Sequence, residues 1–166
     1  MATVEPITPS PYEELKRPDA PTHPLTANTL DALKQVSAST QIFFFGSAEY
    51  EAARTKGPAG LNHPDWPACI AQPKDSTGLS NLLQCAKKYA VPLCIKSGGH
   101  SSISMTKPLV IDMRFFSSVE VDAVADPPTV KCGGGTLSKE IDAACAPHGI
   151  AVILGNAYTV GAVSPW

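Results

Sequence analysis

The chain has no C-x-x-C pair, no run of basic residues and no apolar stretch long enough to span a bilayer. Each absence excludes a class. The five cysteines, Cys69, Cys85, Cys94, Cys132 and Cys145, lack the spacing of a zinc set, so no metal site is expected. Their odd number leaves at least one thiol unpaired, and Cys85 and Cys145 fall on apolar faces of predicted helices, where buried, reduced thiols are expected. A net charge of −2 without basic clusters argues against nucleic acid or an anionic membrane as partner. A membrane-spanning helix needs about 18 consecutive apolar residues, and none occur. Residues 1–25 carry Glu5, Glu13, Glu14 and six prolines, so they lack the apolar centre of a signal peptide. Together these absences predict a cytoplasmic protein. Short-period repeats and low-complexity tracts are also missing.

What is present suits a folded domain. Apolar residues make up 43% and charged residues 17% of 166 positions, enough for one core. The 16 prolines cluster early, so the first part should be irregular. Thr26 or Asn28 can cap a short helix holding Leu30, Leu33 and Val36. Ile42 to Phe45 reads as a strand, and Gly46 to Pro67 as a polar, turn-rich stretch. Cys69 to Ala71 reads as a strand. Asp75 or Ser76 then caps a helix with Leu79, Leu82, Leu83, Ala86 and Ala90 along one face. Strands are predicted at Val91 to Ile95, Leu109 to Met113, Val119 to Val121 and Thr129 to Cys132. After Gly133-Gly134-Gly135, Thr136 is expected to cap a helix with Leu137, Ile141, Ala144 and Cys145 on one face. Ala151 to Leu154 reads as a last strand, followed by a loop from Gly155 to Ser164. Two strand–helix–strand units predict an α+β fold of two small subdomains, each a sheet covered by helices, with a ligand between them.

The most informative stretch is Lys96-Ser97-Gly98-Gly99-His100-Ser101-Ser102, directly after a predicted strand. Paired glycines let backbone come close to a ligand, and their N–H groups can cradle phosphate. His100 adds a nucleophilic ring nitrogen. Other histidines read blandly: His23 and His63 as solvated, His148 as a helix-end residue favouring the dipole. Asp112 and Arg114 form a candidate turn pair. No Ser-His-Asp set has convincing context, and the Gly133 to Gly135 run lacks the spacing of a P-loop or dinucleotide fingerprint.

In order along the chain, several segments match one family. They are Gly46, Tyr50 and Arg54, then Pro67-Ala68-Cys69-Ile70-Ala71-Gln72-Pro73, then Ala86 to Pro92, then Lys96 to Ser101. Leu109 to Met113, Val130 to Gly135, His148-Gly149-Ile150 and Gly155 to Gly161 follow. Residues 42 to 162, roughly three quarters of the chain, resemble the FAD-linked oxidases of the berberine-bridge-enzyme and vanillyl-alcohol-oxidase type, with their PCMH FAD-binding domain. The resemblance implies residues 1–41 as a proline-rich arm with a short helix, 42–62 as a lead-in, and 63–166 as an FAD-binding domain incomplete at its C-terminus. It implies FAD as cofactor, held by Lys96, Ser97, Gly98, Gly99, His100, Ser101, Ser102, Gly155, Val160 and Gly161. Histidine at the position of His100 commonly bonds covalently to the flavin 8α-methyl carbon; the alternatives are a non-covalent flavin neighbour or an ordinary loop histidine. Some members add a second link through Cys in a Gly-x-Cys-x-x-Val-Gly segment. That segment is Gly155-Asn156-Ala157-Tyr158-Thr159-Val160-Gly161 here, and Ala157 excludes a bicovalent flavin.

Family members continue past this pattern into the rest of the FAD domain and a substrate domain. Those parts, and any catalytic base, are expected to be absent from this chain, so no catalytic residue is assigned. The match stops at Ala162. Val163-Ser164 can be encoded GTG-AGT, a splice-donor consensus, so residues 163–166 are expected to be read-through of an unspliced intron, or the result of a mutation with that effect. By resemblance the activity is hydride transfer from a small organic, secondary-metabolite substrate to flavin N5, with O2 as acceptor. The alternatives are a flavin-free isomerase or cyclase of the same descent, and a non-catalytic remnant or subunit completed by another chain.

Overall fold

A computed structural model describes residues 17–57 and 63–162. The start of the proline-rich arm (1–16), the end of the lead-in (58–62) and the segment 163–166 lie outside the described residues.

Four strands form the first sheet: β1 (Thr40–Phe44), β2 (Cys69–Pro73), β3 (Leu93–Lys96) and β4 (Leu109–Asp112). Their spatial order is β1-β2-β4-β3. β1 runs antiparallel to β2, while β4 lies parallel to both β2 and β3. Helix α1 spans Ala27–Lys34, α2 Ala48–Thr55 and α3 Ser76–Lys88. All five residues of β2 are buried, because both faces of the sheet are covered. Cys69, Ala71, Leu109 and Ile111 pack with Leu33 of α1 and with Leu82 and Ala86 of α3. Ile70 and Val110 point the other way, onto Tyr50 and Ala53 of α2, with Trp66 and Met105. This alternation is the period-two signature of strands buried on both sides.

The second unit is smaller. β5 (Val119–Asp122) and β6 (Thr129–Cys132) pair antiparallel, and α4 (Ser138–Cys145) packs on β5 before a short 3-10 turn at Ala146–His148. Both units are therefore small sheets with helices against them, the expected α+β arrangement. Among the described residues, no helix is long and apolar enough to cross a membrane.

Several local expectations change. The stretch predicted as turns contains α2, capped by Ser47, whose side chain accepts from the Tyr50 N–H at 3.1 Å. β3 starts only at Leu93, since Pro92 cannot donate to a ladder. Ala90 leaves the helical face altogether. It takes φ 51°, and the Val91 and Ala90 N–H groups return to the carbonyls of Ala86 and Lys87, a Schellman ending built without glycine. Leu83 is 42% exposed, at the rim of the α3 stripe. Thr136 is buried and donates to Ser118 O instead of capping α4. The α4 entrance is held by Glu140, whose carboxylate accepts from the Leu137 N–H at 2.7 Å. Ala151 to Leu154 pairs with no described strand, because β-propensity without a neighbouring edge makes no ladder. All five cysteines are free thiols; Cys145 is buried, but Cys85 is only half-buried.

Candidate functional site

The register of the parallel strands lines up three polar side chains. Gln72 on β2, Asp112 on β4 and Lys96 on β3 sit at the carboxyl ends of adjacent strands, and all three are buried. That end of a parallel sheet is where chain connections diverge and leave room for a ligand. Asp112 accepts from Arg114 Nε at 3.1 Å and from the Arg114 backbone N–H at 3.2 Å, the expected turn pair. Lys96 runs beneath Gly99 and donates from Nζ to Ala53 O, 2.7 Å away in the last turn of α2. A cation there complements the carbonyl end of the helix. Burial lowers the Lys96 ammonium from its ordinary 10.5 to about 8, with nearby Asp112 acting in the opposite direction.

The glycine loop leaves β3 directly above this row. A Cβ on Gly98 would lie 2.2 Å from Thr159 O and 2.7 Å from Gly161 N. One on Gly161 would lie 2.1 Å from Ser97 Oγ. Gly99, at φ +73°, approaches Lys56 O and Gly57 from the opposite side. The missing side chains thus let three backbone segments stack, residues 56–57, 97–99 and 159–161. The glycines here serve close approach between loops of the protein itself, in addition to whatever they offer a ligand.

A cleft of about 290 Å³ opens beside this stack. Lys96, Ser97 and Gly98 line it, together with Lys56, Arg114, Lys139 and Thr159. Four cations face it against two carboxylates, and those two carboxylates are the ones committed to Arg114 and to the α4 entrance. The cleft therefore favours an anion in a chain whose net charge is −2. Ser97 Oγ is buried without a hydrogen-bond partner among the described residues. The N–H groups of Gly98, Gly99 and His100 donate to none of the described residues. Unspent donors on a glycine turn fit a pyrophosphate. The N-terminus of α4 is not such a site, because Val160 O and Tyr158 O already accept from the Ser138 and Lys139 N–H groups.

His100 is half-buried, and its Nε2 lies 2.7 Å from Thr159 Oγ1. Ser101 and Ser102 continue the loop through turns, with Ser101 O accepting from Ser104 N and Oγ. Val160 joins the stack through its carbonyl. Gly155 lies apart, in an apolar cleft with Val152, Ile153 and Leu154. Lys56, Gly57, Thr159 and Lys139 were invisible to motif reading; only the Gly57-Pro58 turn signal and the position of Thr159 inside the Gly155 to Gly161 segment marked them. His63 differs most from expectation. It is 3% exposed, its Nδ1 accepts from the Asp65 N–H at 3.1 Å, and its Nε2 bonds to Ser102 O. Tertiary packing covers it: Arg54 of α2 donates to His63 O and lies over the Trp66 ring.

Comparison with known proteins agrees with this geometry. Residues 67–163 match the model of the FAD binding domain family. The chain is 27% identical over 134 residues to the bifunctional solanapyrone synthase of Alternaria solani, covering 78% of this chain and 26% of that protein. It is 37% identical over 68 residues to a carbohydrate oxidase of Microdochium nivale, covering 41% of this chain and 13% of that protein. Among solved structures it resembles the berberine-bridge-enzyme-like protein 1 of Physcomitrella patens, with TM-score 0.68 and 25% identity over 80% of this chain and 29% of the other. The fold also matches 6-hydroxy-D-nicotine oxidase of Arthrobacter nicotinovorans, with TM-score 0.68 and 20% identity over 76% of this chain and 28% of the other. The chain spans about a quarter of the length of the first of these relatives. With the family model covering more than half of it, the chain belongs to the FAD binding domain family.

Proposed function

We propose that this chain is the pyrophosphate-holding part of an FAD-dependent oxidoreductase, with the cofactor seated against Lys96 to Ser102 and the 159–161 segment. One observation carries the reading: Ser97, whose Oγ has no partner among the described residues, and Gly98, whose N–H is unspent among them, line a cationic cleft at the strand ends, and the N–H groups of Gly99 and His100 next along the loop are unspent too. Lys56 and Lys139 add positive charge to its lining, while Lys96 and Arg114 are held by hydrogen bonds. When bound, FAD supplies a two-electron acceptor for hydride from the substrate, with dioxygen taking the electrons onward.

His100 is the covalent attachment point in this reading, because it is the ring nucleophile on the glycine loop and remains partly accessible. Ala157 carries no thiol, so attachment is single. The chain's similarity to a solanapyrone synthase and a carbohydrate oxidase supports a small organic substrate. No base is assigned among the described residues.

The test is the purified protein itself. Covalent flavin gives a yellow colour that survives acid precipitation and a fluorescent band on a denaturing gel. His100→Ala removes both while leaving dissociable FAD binding. Acid-stable flavin retained in His100→Ala would overturn the assignment of His100.

A further inference from the structure

His63 is a buried titratable side chain that the reading above leaves unused, and both of its ring nitrogens are committed. Nδ1 accepts from the Asp65 N–H, so it carries no proton. The proton therefore sits on Nε2, whose partner among the described residues is the carbonyl oxygen of Ser102, 2.5 Å away. A carbonyl can only accept, which independently places a proton on Nε2. The ring is 3% exposed, and its own carbonyl is held by Arg54 Nη2.

Ser102 lies two residues beyond His100. The near half of the loop, 97–99, is wedged between the 56–57 and 159–161 segments. The far half is held by its own serine turns, by Cys94 Sγ to Ser104 O at 3.0 Å, and by His63. Met105 beyond them is buried with Tyr50, Ala53 and Trp66, and of the hydrogen bonds the His63 bond is the one reaching across 39 residues to a different segment. A loop pinned at both ends loses most of its freedom before a ligand arrives.

We propose that His63 is a positioning residue for the flavin loop: its Nε2–H, tethered to Ser102 O, holds the far half of the loop so that His100 and the preceding N–H groups are presented in one geometry. This rests on the FAD reading for its consequence, but the loop order itself does not. Two amide variants isolate the bond. In His63→Gln the side-chain NH2 reaches the place of Nε2. In His63→Asn the amide reaches only the place of Nδ1, where its Oδ1 accepts from the Asp65 N–H, keeping the local contact and losing the long one.

Hydrogen exchange on the protein without flavin reads the loop directly through the Ile103, Ser104 and Thr106 amides. These should exchange about fivefold faster in His63→Asn and within about twofold of the parent in His63→Gln, the size expected for one neutral hydrogen bond. Amides of β2 and α3 should not change. FAD affinity, read by quenching of flavin fluorescence, should follow the same order, about fivefold weaker in His63→Asn and restored in His63→Gln. Nitrogen NMR of the parent imidazole should show a protonated Nε2 and a bare Nδ1. The reverse tautomer, unchanged loop exchange in His63→Asn, or equal loosening in both variants overturns the proposal. A parent protein that binds no FAD overturns the flavin reading, while the exchange comparison still decides the role of His63.

Discussion

Replacing Lys96 with methionine should change how stability depends on pH more than it changes stability at pH 7. Lys96 is 1% exposed and ionised at neutral pH at the expense of its hydration. Its pKa falls from 10.5 in the unfolded chain to about 8 in the fold, chiefly through burial. The lowered value means the unfolded chain binds the proton more tightly between pH 8 and 10.5. Stability therefore rises with pH across that window and the penalty is full below pH 8. The shift corresponds to about 3 kcal/mol, of which about 2 to 3 kcal/mol is recovered between pH 7 and pH 10. Methionine fills much of the same volume beneath Gly99 but cannot titrate. It also leaves Ala53 O without its donor, which costs about 1–3 kcal/mol at every pH. Cys69, whose thiol burial pushes up to about 12, works in the opposite direction at alkaline pH, so only the difference between parent and variant is diagnostic. Urea unfolding of both proteins at intervals from pH 7 to 10 measures it. The stability difference, parent minus variant, should climb by about 2 to 3 kcal/mol. A flat difference would refute the buried, charged state of Lys96.

Gly98→Ala should damage the loop stack more than the fold. The new Cβ falls 2.2 Å from Thr159 O, a backbone atom that cannot swing away, so a loss of about 1–3 kcal/mol in urea unfolding and a larger fractional loss of FAD affinity are expected. Ala90→Gly should instead stabilise the chain by about 0.5–1 kcal/mol, seen as a raised Tm, because φ 51° strains alanine and suits glycine, and the gain outweighs glycine's greater freedom when unfolded.

How much of this was legible in the sequence depends on the kind of signal. Helix α3 was, since Asp75 caps it and Leu79, Leu82 and Ala86 repeat at helical spacing. Helix α2 was not. Its buried face is Tyr50, Ala53 and the polar Arg54, so hydrophobic periodicity is weak and only Ser47 with Glu49 marked its start. Cys69 to Ala71 and Leu109 to Met113 read as strands, but nothing local says that β4 inserts between β2 and β3. That order is what puts Gln72, Asp112 and Lys96 in one row. Ala151 to Leu154 shows the converse: strand-forming residues stay unpaired when no described edge meets them. The Lys96 to His100 motif announced a cofactor loop, yet the reason for its glycines, the approach of residues 56–57 and 159–161, needed the fold. His63 sits in a polar, proline-flanked stretch that reads as solvated; Arg54, Trp66 and Ser102 come from distant parts of the chain to bury it.

The central claim is that the cleft beside Ser97, Gly98 and Gly99 holds the FAD pyrophosphate. The most direct measurement is a titration of FAD into the flavin-free protein, followed by flavin fluorescence, with ADP as competitor. Saturable binding at one FAD per chain, displaced by ADP and weakened in both Gly98→Ala and Lys139→Ala, is the predicted result. A protein that stays colourless, with no saturable FAD binding or with binding unaffected by either substitution, would contradict it.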